Sequence, residues 1–505
     1  MSSDTTSIYN KLSKATLGQI NAPGVIMPSG ENLNLPVKAL QFGTGVLLRG
    51  LIDHVIDKAN KKGVFNGSIA VVKSTAAGDT TAFAEQDNLY TLLIKGIENK
   101  ELVNEAVINS TISEVLIAND EWDAILKIAE SPDLQVVVSN TTEVGIQLKE
   151  ESITLTPPSS FPAKLLAVLH HRFKTFSGSA GSGLVIVPTE LLPNNATILK
   201  SIIKQLIAFN QLSPEFEAWL DNHNYFCNSL VDKIVTGRPS QEEQQAFEQA
   251  NGYSDELLIV AEPYCLWAIE GDEKVKSILA FEQTDDGVKV IPDIEVHREL
   301  KLRLLNGTHS LSCAMALYSG FDVVNQATSD SAFEAYIRQI MAEIRTAMPV
   351  ATDQKLAEDF AESVLDRFKN PYIQHQWTAI AQQYTTKLVM RILPVLKKHF
   401  ELFGTPPATI TKGIAAYLFL MSKLRKTGNG FGLELKGTLH DYKDEKAALL
   451  FEIYAATAEE KLATAVLSNA QLWGEDLSAL PQLADAVQQN LNNMLNGDFK
   501  VSADE

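Results

Sequence analysis

The chain has 505 residues, 45% of them apolar and 21% charged, which is a composition typical of a globular protein rather than a disordered or fibrous one. Its 43 Lys and Arg residues against 62 Asp and Glu residues give a formal net charge of −19, which disfavours general binding to nucleic acid or to anionic membranes. The three cysteines have no metal-ligand spacing and suit a reducing compartment, so we expect no metal site. No signal peptide or membrane-spanning run is evident, and a cytoplasmic location is expected.

The first half of the chain alternates strand candidates with helix candidates. Apolar runs that favour strands lie at 37–42, 68–73, 134–139, 184–188 and 257–262. Helical spacing is found between them, for example at about 46–62 and 121–131. Near-continuous apolar strands separated by helices indicate a parallel sheet covered on both faces. The predicted fold class is therefore α/β, with a Rossmann-like, doubly wound sheet.

The second half changes character, because from about residue 298 nearly every segment has helical spacing and strand candidates are almost absent. Helices are predicted near 330–346, 352–368, 374–399, 408–425, 443–456 and 483–496. The composition shifts near 284–290. We therefore predict an N-terminal extension over 1–36, a dinucleotide-binding Rossmann-like domain over 37–288, and a mostly α-helical substrate and catalytic domain over 289–505.

A glycine turn after the first strand is the candidate phosphate site. Phe42 ends the strand, and Gly43-Thr44-Gly45 opens the helix that follows. Glycines there allow a pyrophosphate to approach the unpaired N–H groups of the helix N-terminus, and Arg49 would add a positive charge. Leu48 occupies the third position of the GxGxxG pattern, so a tight turn without a ligand is the alternative.

Polar residues after the next strand candidates extend this site. Asn140, Thr142 and Glu143 follow the strand at 134–139, at the carboxyl end where ligands bind in such sheets. The alternative is that they cap a helix and fix a turn. The strand at 68–73 ends at Lys73 with no acidic residue to read a ribose, which leaves both NAD and NADP open.

Lys301, Asn306 and His309 form the clearest constellation of chemical groups, within an otherwise apolar stretch of helical spacing. Eight residues of α-helix turn through about 800°, so Lys301 and His309 fall within about 80° of each other. A desolvated lysine exchanges a proton near neutral pH, an asparagine amide stabilises a developing alkoxide, and a histidine orients a hydroxyl. The alternative is an exposed lysine, an Asn-Gly break and a histidine satisfied in the core.

Two further polar groups qualify as substrate contacts. Asp232 lies in an apolar stretch and would hold a substrate hydroxyl or the lysine, unless it pairs with Lys233 at the surface. Lys387 and Arg391 are spaced i,i+4, so they share a helix face where two cations suit a carboxylate. A solvated basic face is the alternative.

Seven segments of the chain together resemble the mannitol dehydrogenase family of polyol-specific long-chain dehydrogenases, over about residues 38–495. They are LQFGTGVLLRG (40–50), EQDNLYTL (85–92), VVSNTTEVGI (137–146), FCNSLVDKIVTGRP (226–239), AEPYCLWAI (261–269), LKLRLLNGTH (300–309) and RFKNP (367–371). The resemblance implies a dinucleotide-binding domain and a helical domain with the active site between them. It also implies hydride transfer that needs no zinc.

The same resemblance implies roles for individual residues. Lys301 matches the family's catalytic lysine, Asn306 and His309 its carbonyl-polarising and substrate-orienting residues, and Lys387 a substrate-contacting lysine. Asp232 matches an aspartate near that lysine. At the turn after 184–188, polyol enzymes carry Asp-Asn, whereas this chain has Glu190 and Leu191. The uronate-reducing branch resembles the sequence better there, and Glu190 becomes a candidate substrate contact.

The resemblance therefore implies an NAD-dependent enzyme that interconverts D-tagaturonate and D-altronate, with Lys301 as general acid and base. The alternatives are a fructuronate reductase or a mannitol-type polyol dehydrogenase on the same scaffold, and a catalytically silent dinucleotide-binding regulator. The expected partner is a small sugar acid, and the expected assembly is a monomer or a weak homo-oligomer.

Overall fold

The computed structural model describes residues 9–74, 78–141, 143–497 and 501, which form two compact units. The first unit comprises the described residues up to Lys95 together with Leu102–Ile294. The second comprises Gly96–Glu101 and the described residues from Glu295 onward. The predicted boundary after residue 288 falls within a strand, Val288–Ile291, and the structural division comes after that strand.

The first unit is built from short strands and eight α-helices among its described residues. Its strands are β1 (Asn10–Lys11), β2 (Val25–Ile26), β3 (Val37–Phe42), β4 (Ser68–Lys73), β5 (Tyr90–Glu98), β6 (Glu101–Asn109), β7 (Ile112–Ile117), β8 (Val136–Ser139), β9 (Val185–Pro188), β10 (Tyr225–Phe226), β11 (Ser229–Asp232), β12 (Val235–Gly237), β13 (Tyr253–Ser254), β14 (Ile259–Ala261), β15 (Leu266–Glu270) and β16 (Val288–Ile291). Its helices are α1 (Asp53–Lys61), α2 (Thr81–Glu85), α3 (Trp122–Ile128), α4 (Phe161–Thr175), α5 (Asn195–Phe209), α6 (Pro214–His223), α7 (Gln241–Asn251) and α8 (Glu273–Leu279).

A six-stranded parallel sheet, in the order β10-β9-β8-β3-β4-β7, organises this unit. The chain runs from β3 to β4 on one side and returns to β8 on the other, so the strand order reverses between β3 and β8. In such sheets the crevice at the carboxyl ends beside this reversal is where ligands bind. Phe42 of β3 stands opposite Ser139 of β8, which stands opposite Pro188 of β9, so the three following loops begin side by side.

Both faces of this sheet are buried, as the near-continuous apolar strands predict. Ala39 of β3 and Val136 and Val138 of β8 pack into a cluster with the residues of α1. Leu40 and Val137, one residue along each strand, pack on the opposite face with the residues of α3 to α6. The α/β, Rossmann-like fold class is confirmed.

The strand predicted at 257–262 belongs to a different sheet. Ile259–Ala261 pairs with β5 in a five-stranded mixed sheet, in the order β12-β14-β5-β6-β2, rather than extending the parallel sheet. An apolar run alone does not tell which sheet a strand joins. The N-terminal stretch also contributes to this unit, because β1 pairs with β13 and β2 pairs with β6.

The second unit is mostly helical. Its helices are α9 (Glu295–Leu300), α10 (Thr308–Tyr318), α11 (Val324–Ser329), α12 (Ser331–Thr346), α13 (Gln354–Phe368), α14 (Trp377–Ile380), α15 (Tyr384–Arg391), α16 (Leu393–Phe403), α17 (Ala408–Met421), α18 (Ala447–Ala456), α19 (Leu462–Leu467), α20 (Ala470–Trp473) and α21 (Leu483–Leu495). Helix α17 is buried along most of its length, and at Gly413 it approaches α10 so closely that an added Cβ would lie 2.8 Å from Leu311.

Two predictions for this unit were wrong. The single helix predicted over 374–399 is three helices, α14 to α16, because Gln383 has a positive φ and Pro394 in the first turn of α16 has no N–H to continue α15. The expected lack of strands is contradicted by an antiparallel sheet of β17 (Leu424–Thr427), β18 (Gly430–Leu435) and β19 (Thr438–Tyr442). Within the described ranges, no helix is long and apolar enough to cross a membrane.

Candidate active site

The glycine turn after β3 has the conformation that only glycine adopts easily. Gly43 has a φ of +128°, and an added Cβ there would lie 3.0 Å from the Leu48 side chain and 3.1 Å from the Asn140 carbonyl oxygen. The turn is accessible, since Thr44 is half-buried and Gly45 is exposed, with nothing within 4 Å of an added Cβ at Gly45. It leads into a π-helical segment, Leu48–Ile52, and then into α1.

Phe42 and Arg49 flank this turn but face the interior. The Phe42 side chain is fully buried against Phe161, so only its backbone borders the turn. Arg49 is also buried, and its Nη1 donates to the Leu257 carbonyl oxygen at 2.8 Å while the guanidinium lies over the Tyr90 ring. These partners argue against the phosphate contact predicted for Arg49. Arg49 stands among apolar positions in the sequence, but these did not reveal that its own side chain is buried.

The carboxyl ends of β8 and β9 are joined by a cluster of hydrogen bonds, which we call the strand-end clasp (Ser139, Asn140, Thr141, Thr189 and Glu190). The Glu190 carboxylate accepts bonds from the Thr141 N–H and hydroxyl, both at 2.9 Å, and from the Ser139 hydroxyl at 3.1 Å. The Asn140 amide donates to the Thr189 carbonyl and hydroxyl oxygens, both at 3.0 Å. Glu190 therefore holds the loop after β8, rather than extending into solvent.

Two predicted cofactor residues next to the clasp are only partly within the described structure. Thr142 lies outside the described residues, and Glu143 is described only as the first residue of a short 3-10 turn that ends at Gly145. Val144 and Leu191, which follow β8 and β9, expose 72% and 61% of their surface. Accessible apolar side chains at the ligand-binding edge of the sheet suit contact with a flat aromatic or sugar ring.

Asp232 ends β11 and is buried, with 6% of its surface exposed. Lys233 is also buried, and its Nζ donates to the carbonyl oxygens of Pro263 at 3.3 Å and Tyr264 at 3.1 Å. Burial lowers the pKa of Lys233. The alternative considered from the sequence placed these neighbours at the surface, whereas both are buried.

In the second unit, Lys301 and Asn306 lie in a π-helical segment, Lys301–Gly307, between α9 and α10. Five residues of α-helix would place the two side chains about 140° apart. A π-helix bonds each N–H to the carbonyl five residues earlier and is wound more widely than an α-helix, so residues five apart lie closer to one face. The π segment therefore turns Lys301 and Asn306 toward the same side, which helical spacing alone did not predict. Both residues are half-buried.

His309 follows in the first turn of α10 and is enclosed by aromatic rings. It stacks on Phe368 with ring centres 4.1 Å apart and meets His375 edge-on at 5.1 Å. Its buried Nε2 has no hydrogen-bond partner in the part of the chain that the structure describes. Burial holds the pKa of His309 well below its ordinary range, and the charge of nearby groups lowers it further, so the ring is neutral near pH 7.

Positive side chains gather around His309. The charges of Arg391, Arg367 and Lys387 each lower the pKa of His309. Arg391 Nη1 donates to the Asn306 carbonyl oxygen at 3.2 Å and to the Ser310 hydroxyl at 2.9 Å. The structure thus brings Lys387 and Arg391 to the same region as Asn306 and His309.

Arg367 and His375 were not singled out as functional from the sequence. Arg367 lies in the RFKNP segment, which was noted only as part of the family resemblance, and it is buried. His375 stands in a polar loop with no periodic signal, and burial lowers its pKa. Only the folded chain places these residues beside His309.

Burial lowers the pKa of Lys387, and the charge of Arg391 adds to this effect. The Lys387 Nζ donates to the Ile380 carbonyl oxygen at 2.9 Å. Burial also lowers the pKa of Arg391 to about 10. Two cations held together at the cost of mutual repulsion are stabilised by a negative charge placed between or beside them. Among the described residues, no group of His, Cys, Asp and Glu has the arrangement of a metal site.

Comparisons with known proteins match both units of this architecture. Residues 37–283 match the model of the mannitol dehydrogenase Rossmann domain, and residues 293–495 match that of the mannitol dehydrogenase C-terminal domain. The altronate oxidoreductase of Halalkalibacterium halodurans is 36% identical over 470 residues, covering 91% of each chain. That of Bacillus subtilis is 34% identical over 91% of this chain and 93% of its own.

Two solved structures share the fold. Mannitol 2-dehydrogenase of Pseudomonas fluorescens, in a ternary complex with NAD and D-mannitol, superposes with a TM-score of 0.65 at 20% identity over 97% of both chains. A substrate-free D-sorbitol dehydrogenase superposes with a TM-score of 0.75 at 19% identity, over 96% of this chain and 99% of that one.

The fold, the two domain models and the curated relatives define the class of the protein: it is an oxidoreductase of the sugar-acid and polyol dehydrogenase type. Within that class, the chain belongs to the mannitol dehydrogenase family, as its sequence motifs indicated.

Proposed function

We propose that the protein is an NAD-dependent oxidoreductase that interconverts D-tagaturonate and D-altronate. The observation that carries this proposal is the group of cations around His309 in a chain of net charge −19. An acidic protein that concentrates Arg367, Lys387 and Arg391 in one place is suited to a substrate that carries a carboxylate. A neutral polyol has no charged group that could pair with these cations. The names of the two curated relatives reported above, both altronate oxidoreductases, support the same substrate.

The first unit fits a dinucleotide at the carboxyl edge of its parallel sheet. Gly43 leaves room beside the Asn140 carbonyl oxygen that a Cβ would fill, and Thr44 and Gly45 are accessible at the start of a helix. We assign the phosphate contacts to the backbone of 43–45 and the adjoining contacts to the loop held by the strand-end clasp. When bound, NADH supplies the hydride that forms the new C–H bond, and NAD⁺ accepts it in the reverse reaction.

Lys301 is the proposed general acid and base. In reduction, the protonated Lys301 Nζ gives its proton to the ketone oxygen while the carbonyl carbon gains the hydride, so the ketone becomes a secondary alcohol. In oxidation, the neutral amine removes the hydroxyl proton. The Asn306 amide donates to the oxygen as its negative charge develops. The π segment supports this pairing, because it turns both side chains the same way.

The remaining site residues orient the substrate. The neutral His309 offers its buried Nε2 to a substrate hydroxyl, and Lys387 and Arg391 face the carboxylate. Asp232 is proposed to hold a substrate hydroxyl. Leu191 supports a sugar acid over mannitol, since it offers no amide at the position where the polyol enzymes carry an asparagine.

The test is a substrate panel with a matched active-site variant. NADH and NADPH are each assayed with D-tagaturonate, D-fructuronate and D-fructose. We expect the highest kcat/KM for tagaturonate with NADH. The Lys301→Ala variant is expected to bind NADH normally but to lose turnover by about a thousandfold or more. Turnover within about tenfold of the wild type would rule out Lys301 as the proton donor. A preference for fructuronate, or for fructose, would reassign the substrate.

A further inference from the structure

The π segment Lys301–Gly307 needs support from outside itself. A π-helix is rare and less favourable than an α-helix, and it persists where other contacts hold it. Its residues include Lys301 and Asn306, whose common direction depends on it. Any group that fixes this segment therefore also fixes the reacting groups.

Arg303 is the side chain best placed to do so. It lies in the middle of the segment with 6% of its surface exposed. Its Nε and Nη2 donate to the two carboxylate oxygens of Glu299, at 2.8 and 2.9 Å, in a bidentate pair. The pair is almost fully buried, with both side chains below a tenth exposed. Neither residue belongs to the substrate contacts proposed above.

The third donor of Arg303 reaches across to α15. Its Nη1 donates to the carbonyl oxygen of Met390 and, at 3.0 Å, to that of Arg391. These carbonyls lie at the C-terminus of α15, where helical partners run out. In a continuous helix the Met390 carbonyl oxygen would accept from the N–H of residue 394. That residue is Pro394, which has no N–H. Arg303 therefore donates to the Met390 carbonyl oxygen, for which the helix has no N–H.

The contact is reciprocal. Arg391, at the end of α15, donates back to the Asn306 carbonyl oxygen at 3.2 Å. Beside it, Gly307 packs so closely on Ile392 that an added Cβ would lie 3.0 Å from its Cδ1. The π segment and the end of α15 are thus joined in both directions.

We infer that the buried pair Glu299 and Arg303 is a positioning device for the reaction, which locks the π segment against α15 and so sets the direction of Lys301 relative to Asn306. This inference rests on the proposed role of Lys301. Without the pair, the segment relaxes toward α-helical winding, and the proton donor and the oxyanion donor separate around the helix axis. Binding of NADH, which is assigned to the first unit, does not depend on the pair.

The experiment compares three variants of the full-length enzyme. Arg303→Lys keeps the charge but loses the planar fork that bonds Glu299 and α15 together. The double variant Glu299→Leu/Arg303→Met removes both charges, a change that is often neutral or stabilising for a buried pair. Arg338→Met is the matched control, because Arg338 pairs with Glu334 at the same i,i+4 spacing on a more exposed surface of α12. Each is measured for kcat, KM, NADH affinity, Tm and the isotope effect with 4-deuterated NADH.

We expect kcat to fall by about 10- to 100-fold in Arg303→Lys, with NADH affinity unchanged and a larger isotope effect, because a misaligned donor makes the chemical step limiting. The double variant is expected to fold, with its Tm lowered only by the loss of the two contacts to α15, and still to be slow, whereas Arg338→Met keeps the wild-type kcat. A merely structural pair would lower the active fraction without changing the isotope effect.

Two results would overturn the inference. One is a kcat of Arg303→Lys within about twofold of the wild type. The other is a double variant that folds and has the wild-type kcat, which would show that the pair serves folding alone. Lys301→Ala, assayed in parallel, separates this from the proposed function. If that variant still turns over, the role of Lys301 fails; if it is inactive while both pair variants are fully active, only the positioning role fails.

Discussion

Replacing Gly43 by alanine tests the glycine turn directly. The φ of +128° is one that side chains rarely adopt, and such backbone strain costs about 1–3 kcal/mol. The new Cβ also meets the Asn140 carbonyl oxygen at 3.1 Å. That atom belongs to backbone held by the strand-end clasp, so it yields less than a flexible side chain would. Together these effects lower the free energy of unfolding of the first unit by about 2–4 kcal/mol.

The matched control is Gly45→Ala, two residues along the same turn. Nothing lies within 4 Å of a Cβ at Gly45, and its φ is not positive. We expect Gly43→Ala to lower the Tm by several degrees in thermal unfolding and to weaken NADH binding at least tenfold in fluorescence titration, while Gly45→Ala keeps the wild-type Tm. A Gly43→Ala protein with wild-type Tm and wild-type NADH affinity would refute the argument from the turn.

The remaining predictions concern three ionisable groups. Glu190→Ala removes three hydrogen bonds that the carboxylate accepts, so it should lower the free energy of unfolding by about 2–3 kcal/mol in urea unfolding. Glu190→Gln should lower it by only about 1 kcal/mol. Equal losses in the two variants would contradict the role of Glu190 in the strand-end clasp. Lys387→Met should raise the KM for tagaturonate about 10- to 100-fold but leave fructose unaffected. Burial raises the pKa of Asp53 to about 8, so the folded chain holds a proton that the unfolded chain has released above pH 4. Wild-type stability should therefore fall between pH 5 and 8, by up to about 1.4 kcal/mol per pH unit, relative to Asp53→Asn; parallel stability curves would exclude this.

The parallel sheet was predictable because its strands carry their own signal. Strands buried on both faces must be apolar at nearly every position, and 37–42, 68–73, 134–139 and 184–188 all meet that condition. The carboxyl edge, and with it the location of the glycine turn, follows from parallel pairing. What the pattern did not give is the partner of each strand, which is why the run at 257–262 was assigned to the wrong sheet.

The antiparallel sheet β17 to β19 was missed although a local signal exists. Its strands are short and half polar, so their hydrophobic alternation is weak. The turn between β18 and β19 is Lys436-Gly437, and both residues have positive φ, as in tight hairpin turns. A search for turn residues would have found it where a search for apolar runs did not.

The candidate site, like the fold, was predictable from the sequence only in part. Lys301, Asn306 and His309 are visible as polar residues in an apolar helical stretch, but their relative direction is set by a π segment whose supporting contacts come from about ninety residues further along the chain. Arg367 and His375 reach His309 only through folding. The burial of Arg49 depends on the Leu257 carbonyl oxygen, some two hundred residues away, so no local pattern reveals it.

The loops after β3, β8 and β9 begin at neighbouring strand ends. This arrangement has a consequence for how such a protein changes over generations. Because Phe42, Ser139 and Pro188 stand side by side, the parts of these loops beyond the strand-end clasp can lengthen, shorten or be exchanged while the apolar layers beneath stay in place. Small insertions or single replacements at this edge can therefore change what the loops contact, while the scaffold passes from ancestor to descendant unaltered.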